Sequence, residues 1–218
     1  MKTIPTPRSL ARPASAFTLL ELIMVLVIII LLAGMILPTG HSRPNISRIK
    51  CVNNLKNVGL AYRIFATDNA DLFPWQSTNQ MGALQIDYFG DPAVYFRMVS
   101  NELSTPKLLI CPRDTRTEAP DFTSITRSNI SYFIGLDSDA NFPNSFLAGD
   151  RNLTTNGIRL PPGLVRIRTN SLVAWDNTQH QLQGNVTMGD GSVQQLSIPR
   201  LNEQLHNTGT AQTTLAIP

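Results

Sequence analysis

An apolar run from Phe17 to Leu37, FTLLELIMVLVIIILLAGMIL, constrains this chain most, because only Thr18 and Glu21 interrupt its 21 residues. As an α-helix it would extend about 31 Å, matching a hydrocarbon core of roughly 30 Å. A cleaved secretory signal has a shorter apolar core, about 7–15 residues, with small residues after it. Here Ala14, Ser15 and Ala16 precede the run, so the pattern predicts a retained transmembrane helix over 17–37. Residues 1–16 carry Lys2, Arg8 and Arg12 and no acid, while the rest balances 15 basic against 15 acidic side chains. The net charge of +3 thus sits in a basic leader and implies no affinity for nucleic acid. Arg43, Arg48 and Lys50 follow the run, so charge alone nearly ties on orientation.

Glu21 is the costly residue. A carboxylate deep in a transmembrane helix costs about 2.5–3.5 kcal/mol on insertion scales, so acids there are usually paired and functional. A plainer reading stands beside that one. One turn from the helix start, Glu21 can reach the headgroups and the positive end of the helix dipole.

The string Ala16-Phe17-Thr18-Leu19-Leu20-Glu21-Leu22 resembles the processing site of type IV prepilins and type II secretion pseudopilins. The resemblance implies that prepilin peptidase cuts between Ala16 and Phe17 and that Phe17 becomes an N-methylated amino terminus. It also implies that Glu21 directs assembly by meeting the terminus of a neighbouring subunit. Pro38 matches the proline that bends family helices. One position departs from the pattern: the family prefers Gly before the cut, and Ala16 stands there.

Further matches lie beyond the membrane. Cys51–Ala61 followed by Asp68–Pro74, then Cys111-Pro112-Arg113-Asp114, then His180 with Asp190-Gly191 after nine intervening residues, are similar to a bacterial pseudopilin-like subfamily. In it the motif at His180, Asp190 and Gly191 has no known role. The implied fold is α+β and pilin-like: a long N-terminal helix, transmembrane in its first half, packed on a small antiparallel sheet. The implied setting is the bacterial inner membrane, crossed once, with the N-terminus cytoplasmic and the domain periplasmic or extracellular in a filament. The implied partners are homologous pilin-like subunits, prepilin peptidase, a secretion or pilus assembly platform and the lipid bilayer. The expected function is that of a non-enzymatic subunit of a type II secretion pseudopilus or related type IV filament. The alternative is a membrane-anchored binding module, for polysaccharide or secreted cargo, that does not polymerise. Exposed tryptophans at Trp75 or Trp175 would suit that alternative, although core packing is the default for Trp.

The remaining chain divides into an outer helical part, 38–73, and a loop-rich β domain, 74–218. Ile46, Ile49, Val52, Leu55, Val58, Tyr62 and Phe65 recur at three or four residues, an amphipathic stripe that packs on a domain. Strands are expected at 129–136, 171–176, 185–188 and 192–198, with a tight turn at Gly189-Asp190-Gly191. Residues 74–128 and 137–170 are rich in turn formers and read as loops.

Cys51 and Cys111 make an even pair. A disulfide and two separate buried thiols stay open, since sequence separation says nothing of Cα distance. Asp137, Asp139 and Asn141 offer oxygens at alternate positions, like the start of an EF-hand loop. Phe142 replaces its turn glycine and Ala148 its closing Glu, leaving an irregular calcium loop or a plain Asx-rich turn. Ser192 and His180 with Asp176 or Asp190 could be drawn as a triad, but no nucleophile-elbow pattern surrounds Ser192. Neither cysteine has paired zinc-ligand spacing, so no metal or other cofactor is expected beyond that calcium candidate.

Overall fold

The computed structural model describes residues 17–36, 43–77 and 90–218. Ala16 and Pro38, the sequence's cleavage and kink positions, lie outside them, as does the leader. The chain divides into two compact units, residues 1–42 and 43–218.

In the first unit, helix α1 runs Leu19–Ile36. Thr18 starts it: its Oγ1 accepts from the Glu21 amide at 3.3 Å, so Thr18-Leu-Leu-Glu21 follows the Thr-x-x-Glu start pattern. The large apolar side chains from Leu19 to Leu32 are 42–77% exposed, all round the helix. Among the described residues no helix is by itself long and apolar enough to cross a membrane. α1 covers 18 residues, about 27 Å at 1.5 Å each, and Leu37 falls outside the described residues.

The second unit is α+β, with helices packed on a small antiparallel sheet. Helix α2 spans Arg43–Asp68, with Pro44 in its first turn, where a missing N–H costs nothing. Its buried face is Cys51, Leu55, Val58, Tyr62 and Phe65, with Ala61 and Ala66. Ile46 and Ile49, the first members of the sequence stripe, are instead half exposed. The helix stops at Asp68, and Ala70 and Asp71 turn the chain with positive φ.

Two short helices, α3 (Pro92–Met98) and α4 (Ser100–Leu103), follow. Asp91 caps α3 by accepting from the Ala93 amide at 3.1 Å, ahead of Pro92 in the first turn. Two 3-10 turns, Pro106–Leu109 and Arg127–Asn129, lead into the strands.

The strands are β1 (Tyr132–Gly135), β2 (Phe146–Asp150), β3 (Leu153–Thr155), β4 (Ile158–Arg159), β5 (Gly163–Arg168), β6 (Val173–Trp175), β7 (Gln183–Met188), β8 (Val193–Ser197) and β9 (Gln212–Ile217). Helix α5, Ile198–His206, lies between β8 and β9. A six-stranded sheet has the order β5-β9-β1-β2-β7-β8, and a three-stranded one β4-β3-β6.

The larger sheet is covered on both faces. Tyr132 and Ile134 of β1 join the core beneath α2, whereas Phe133 joins a second core with Trp175, Leu201 and Leu205. Alternation along a strand demands this split, and it explains why β1 is buried at every position. α2 lies against β2, β7 and β8, and α5 against β6 and β8.

The loop-rich reading of 137–170 is corrected here, because β2, β3, β4 and β5 all fall inside it. Asn156 and Gly157 both have positive φ between β3 and β4, the backbone of a two-residue hairpin. β5 has mostly alternating exposure. Likewise 92–103 is helical, and α5 and β9 close the chain beyond the last expected strand.

Candidate functional site

Several elements converge on a buried polar cluster. α2 brings Arg48 and Cys51, and the chain after the first 3-10 turn brings Cys111, Arg113 and Asp114. β2 ends in Asp150, followed by Arg151. The segment before β7 brings Gln179 and His180, and β7 itself brings Asn185. Cys51 and Cys111 are joined by a disulfide across a Cα separation of 5.0 Å.

The disulfide is packed against ionisable groups. His180 Nε2 lies 3.3 Å from Cys111 Sγ and 3.4 Å from Asp150 Oδ2. That carboxylate oxygen also accepts from the Asn185 amide at 2.7 Å and from Asn185 Nδ2 at 2.8 Å. Its other oxygen, Oδ1, is buried without a hydrogen-bond partner.

Burial pushes the Asp150 carboxyl up to about 7, against the opposing pull of the Asn185 hydrogen bonds and the Arg48 charge. Burial, with repulsion from Arg48 and Arg113, pulls His180 down to about 4. At neutral pH the imidazole is therefore uncharged, and its contact with Asp150 is polar and not an ion pair. Arg48 donates to the Gln183 side chain at the margin of the cluster.

A second, more conventional pair borders it. Asp114 accepts both arms of Arg151, each at 2.7 Å, and also Gln179 Nε2 at 2.9 Å. Burial alone would raise Asp114, but the Arg151 hydrogen bonds and charge carry it below the usual carboxylate value. Arg113 Nε donates to the Gln179 carbonyl at 3.1 Å. Cys111-Pro-Arg-Asp114 and the segment around His180 are thus one spatial unit.

The opposite holds for His180 and Asp190-Gly191. Asp190 is exposed and accepts from the Ser192 amide at 2.8 Å within the β7–β8 turn. Gly191 has φ +85°, and its backbone abuts α2 at Gly59, where an added Cβ would lie 3.2 Å from the Gly191 carbonyl oxygen. The glycine pair lets the turn seat on the helix, a packing role separate from His180. Asp176 pairs with Arg159 and receives the Thr178 amide at 2.8 Å, while Asp190 holds the Ser192 backbone amide, so both acids of that triad are engaged by partners other than His180.

The calcium candidates lie elsewhere: Asp137 and Asp139, though not Asn141, line a groove of about 260 Å³ together with Gln76, Phe142 and Thr210. Asp137 accepts from the Thr214 amide at 2.5 Å. Asp139 accepts from the Asn141 amide at 2.7 Å and from Gln76 Nε2 at 2.8 Å. The Asn141 contact is that of an Asx turn, while the Thr214 and Gln76 contacts tie the loop to distant segments. Trp75 and Trp175 are buried, which corrects their reading as exposed sugar platforms. Trp75 donates to the Ser138 carbonyl at 2.9 Å, and the Trp175 ring lies over Gly184, where a Cβ would come within 2.6 Å. The exposed aromatic at the groove is Phe142.

Sequence reasoning missed Asp150 and Asn185 altogether. Gly149-Asp150-Arg151 reads as a turn, and nothing in a lone acid signals burial.

A pH titration probes this core. The raised Asp150 value makes the folded state bind a proton that the unfolded chain, near 3.9, releases. That stability is full below about 4 and is lost as pH rises through about 7. The depressed His180 value acts oppositely, since its contribution is present above about 6.5 and lost as pH falls through about 4. The two oppose each other between those limits. In Asp150→Asn only the histidine contribution remains, so wild type gains on the variant by up to about 1.4 kcal/mol per unit as pH falls from 7 to 4. Urea unfolding of both across that range measures the difference. A constant gap refutes the raised value.

No protein family, curated protein or solved structure is matched by this chain, so its function must be read from its own residues.

Proposed function

We propose that this chain is a pilin-like structural subunit of a type II secretion pseudopilus or related type IV filament. In this reading prepilin peptidase removes residues 1–16, Phe17 becomes the N-methylated terminus, and the apolar helix bundles with those of other subunits. The protein sits in the bacterial inner membrane with its N-terminus cytoplasmic, and the α+β unit faces the periplasm or the outside of a filament. Its long helix would be transmembrane in its first half.

What supports the reading is α1 itself. A helix that is apolar all round demands an apolar environment on every side, a bilayer or the centre of a helix bundle. The large side chains of α1 from Leu19 to Leu32 are exposed on all faces, and Glu21 in its first turn is the one acid. A helix used only as an anchor has no need of that acid. A helix that must register against a neighbour's α-amine does, because each charge is costly alone in a low-dielectric bundle and the pair relieves both.

N-terminal sequencing and mass measurement of the membrane-extracted protein test this. The expected terminus is N-methyl-Phe17, and an intact Met1 start overturns the proposal.

One observation favours the second reading, an anchored binding module. Phe142 is 62% exposed at the groove, whose lining also carries the side chains of Gln76, Asp137 and Asp139, pairing an aromatic face with oxygen and amide groups as a saccharide site would. Crosslinking in native membranes separates the two: helix-to-helix adducts near 17–21 favour the filament, and a strictly monomeric pattern favours the anchor.

A further inference from the structure

The filament reading makes no use of the cluster at the disulfide. Cys51, Cys111, Asp150 and His180 are each 5% exposed or less, and one potential ligand atom from each lies within 4.8 Å of the other three. Two sulfurs, an imidazole and a carboxylate form a donor set that zinc takes in tetrahedral sites. The set is built on firm elements, with Cys51 inside α2 and Asp150 at the end of β2. Asn185 already holds Asp150 through two hydrogen bonds to Oδ2, the outer support that metal-binding carboxylates use.

A second, independent observation points to a ligand. Asp150 Oδ1 is buried and unpartnered, in a residue with no exposed surface. Such an oxygen is costly to bury unless something occupies it. The hydrogen bonds from Asn185 leave it free.

We propose that the Cys51–Cys111 disulfide and a zinc ion are alternative occupants of this position, exchanged by reduction. In the oxidised chain the sulfurs bond to each other and the metal has no thiolates. A dithiol reductant supplies two electrons and two protons: its own two sulfurs join as a disulfide, the Cys51–Cys111 bond breaks, and two thiols form. Zn²⁺ then binds both sulfurs and displaces the two thiol protons to solvent, with His180 and Asp150 completing four ligands. The sulfurs must part to about 3.8 Å, the separation set by two Zn–S bonds of about 2.3 Å in a tetrahedron. The ion carries two charges against three on two thiolates and a carboxylate. Arg48, whose charge acts on both Asp150 and His180, offsets the remaining one. The metal would thus keep α2 tied to the segment around Cys111 when the disulfide is open. This inference stands apart from the filament proposal and holds whether or not the chain polymerises.

Cobalt titration of the full chain in detergent micelles, reduced and handled without oxygen, tests it. The expected result is one Co²⁺ per reduced chain, with the sulfur-to-cobalt absorption and visible bands of a tetrahedral site, displaced by Zn²⁺. The oxidised chain shows none of these. Cys111→Ser lowers the sulfur-to-cobalt absorption, because only the Cys51 sulfur remains, and His180→Ala, which lacks a direct ligand, weakens binding by at least the roughly 100-fold that loss of an outer-shell support can cost. Thermal unfolding of the reduced wild type is followed in parallel, so that folding is read separately from colour, and added Zn²⁺ should raise its midpoint. The proposal is overturned if the reduced chain binds no cobalt, if it stays unfolded in excess metal, or if His180→Ala binds as tightly as wild type.

Discussion

Glu21→Ala is expected to abolish filament assembly while leaving membrane insertion intact. Insertion has no use for the carboxylate. Removing an acid from an apolar helix lowers the transfer cost, by at most about 2.5–3.5 kcal/mol and less this close to the helix end. The start of α1 also survives, because Thr18 Oγ1 accepts from the backbone amide of Glu21, which alanine keeps. The loss falls on the proposed contact with a neighbour's amino terminus. An α-amine near 7.7–8.0 is mostly charged at neutral pH, and in a helix bundle it would be stranded without its counter-charge. Crosslinks between helices near position 17, normalised to membrane-inserted protein, should fall at least tenfold. Glu21→Gln, nearly the same shape without the charge, should behave like alanine. Wild-type crosslinking by either variant would remove Glu21 from the mechanism. If the carboxylate merely reaches headgroups, both variants assemble normally.

The second large effect concerns the disulfide. Cys51 and Cys111 close a loop with a sequence separation of 60. Constraining a loop of that length restricts the unfolded chain by an amount worth about 4 kcal/mol. Replacing both cysteines with alanine, in metal-free buffer, should therefore lower the unfolding midpoint of the 43–218 unit by roughly 10 °C. Alanine is the informative choice because a serine hydroxyl would add an unpaired polar group to a site already holding several. The tie between α2 and the Cys111 segment would then rest on weaker links, such as the Asn54 side-chain donation to the Ile110 carbonyl at 2.8 Å. A drop below about 3 °C would mean that native packing alone fixes this junction. Comparing the double variant with reduced wild type, each with and without Zn²⁺, also separates loop constraint from metal binding, because only the wild type retains the ligands.

The parts legible in the sequence have local causes. The apolar run around α1, the Thr18–Glu21 helix start and the periodic face of α2 are each set by neighbours within a few residues. The turn at Gly189-Asp190-Gly191 was readable because glycine supplies the positive φ that such turns need. The hairpin at Asn156-Gly157 and the alternation of β5 carried the same kind of signal, submerged in surrounding turn formers. β2 carried none: FLAGD is buried at every position, so it has no alternation to betray a strand.

The cluster at the disulfide is different in kind. Cys51, Cys111, Asp150 and His180 come from four distant stretches, and spacing along the chain argued against a zinc-type donor set. Their meeting is decided by the strand order that sets β2 beside β7 and by α2 crossing over both. Sequence by itself determined that an apolar helix with one acid precedes an α+β unit, because hydrophobic periodicity and turn chemistry act over short range. Tertiary structure alone decided which polar groups lose water together, because burial depends on what lies across the sheet and not on what lies next in the chain.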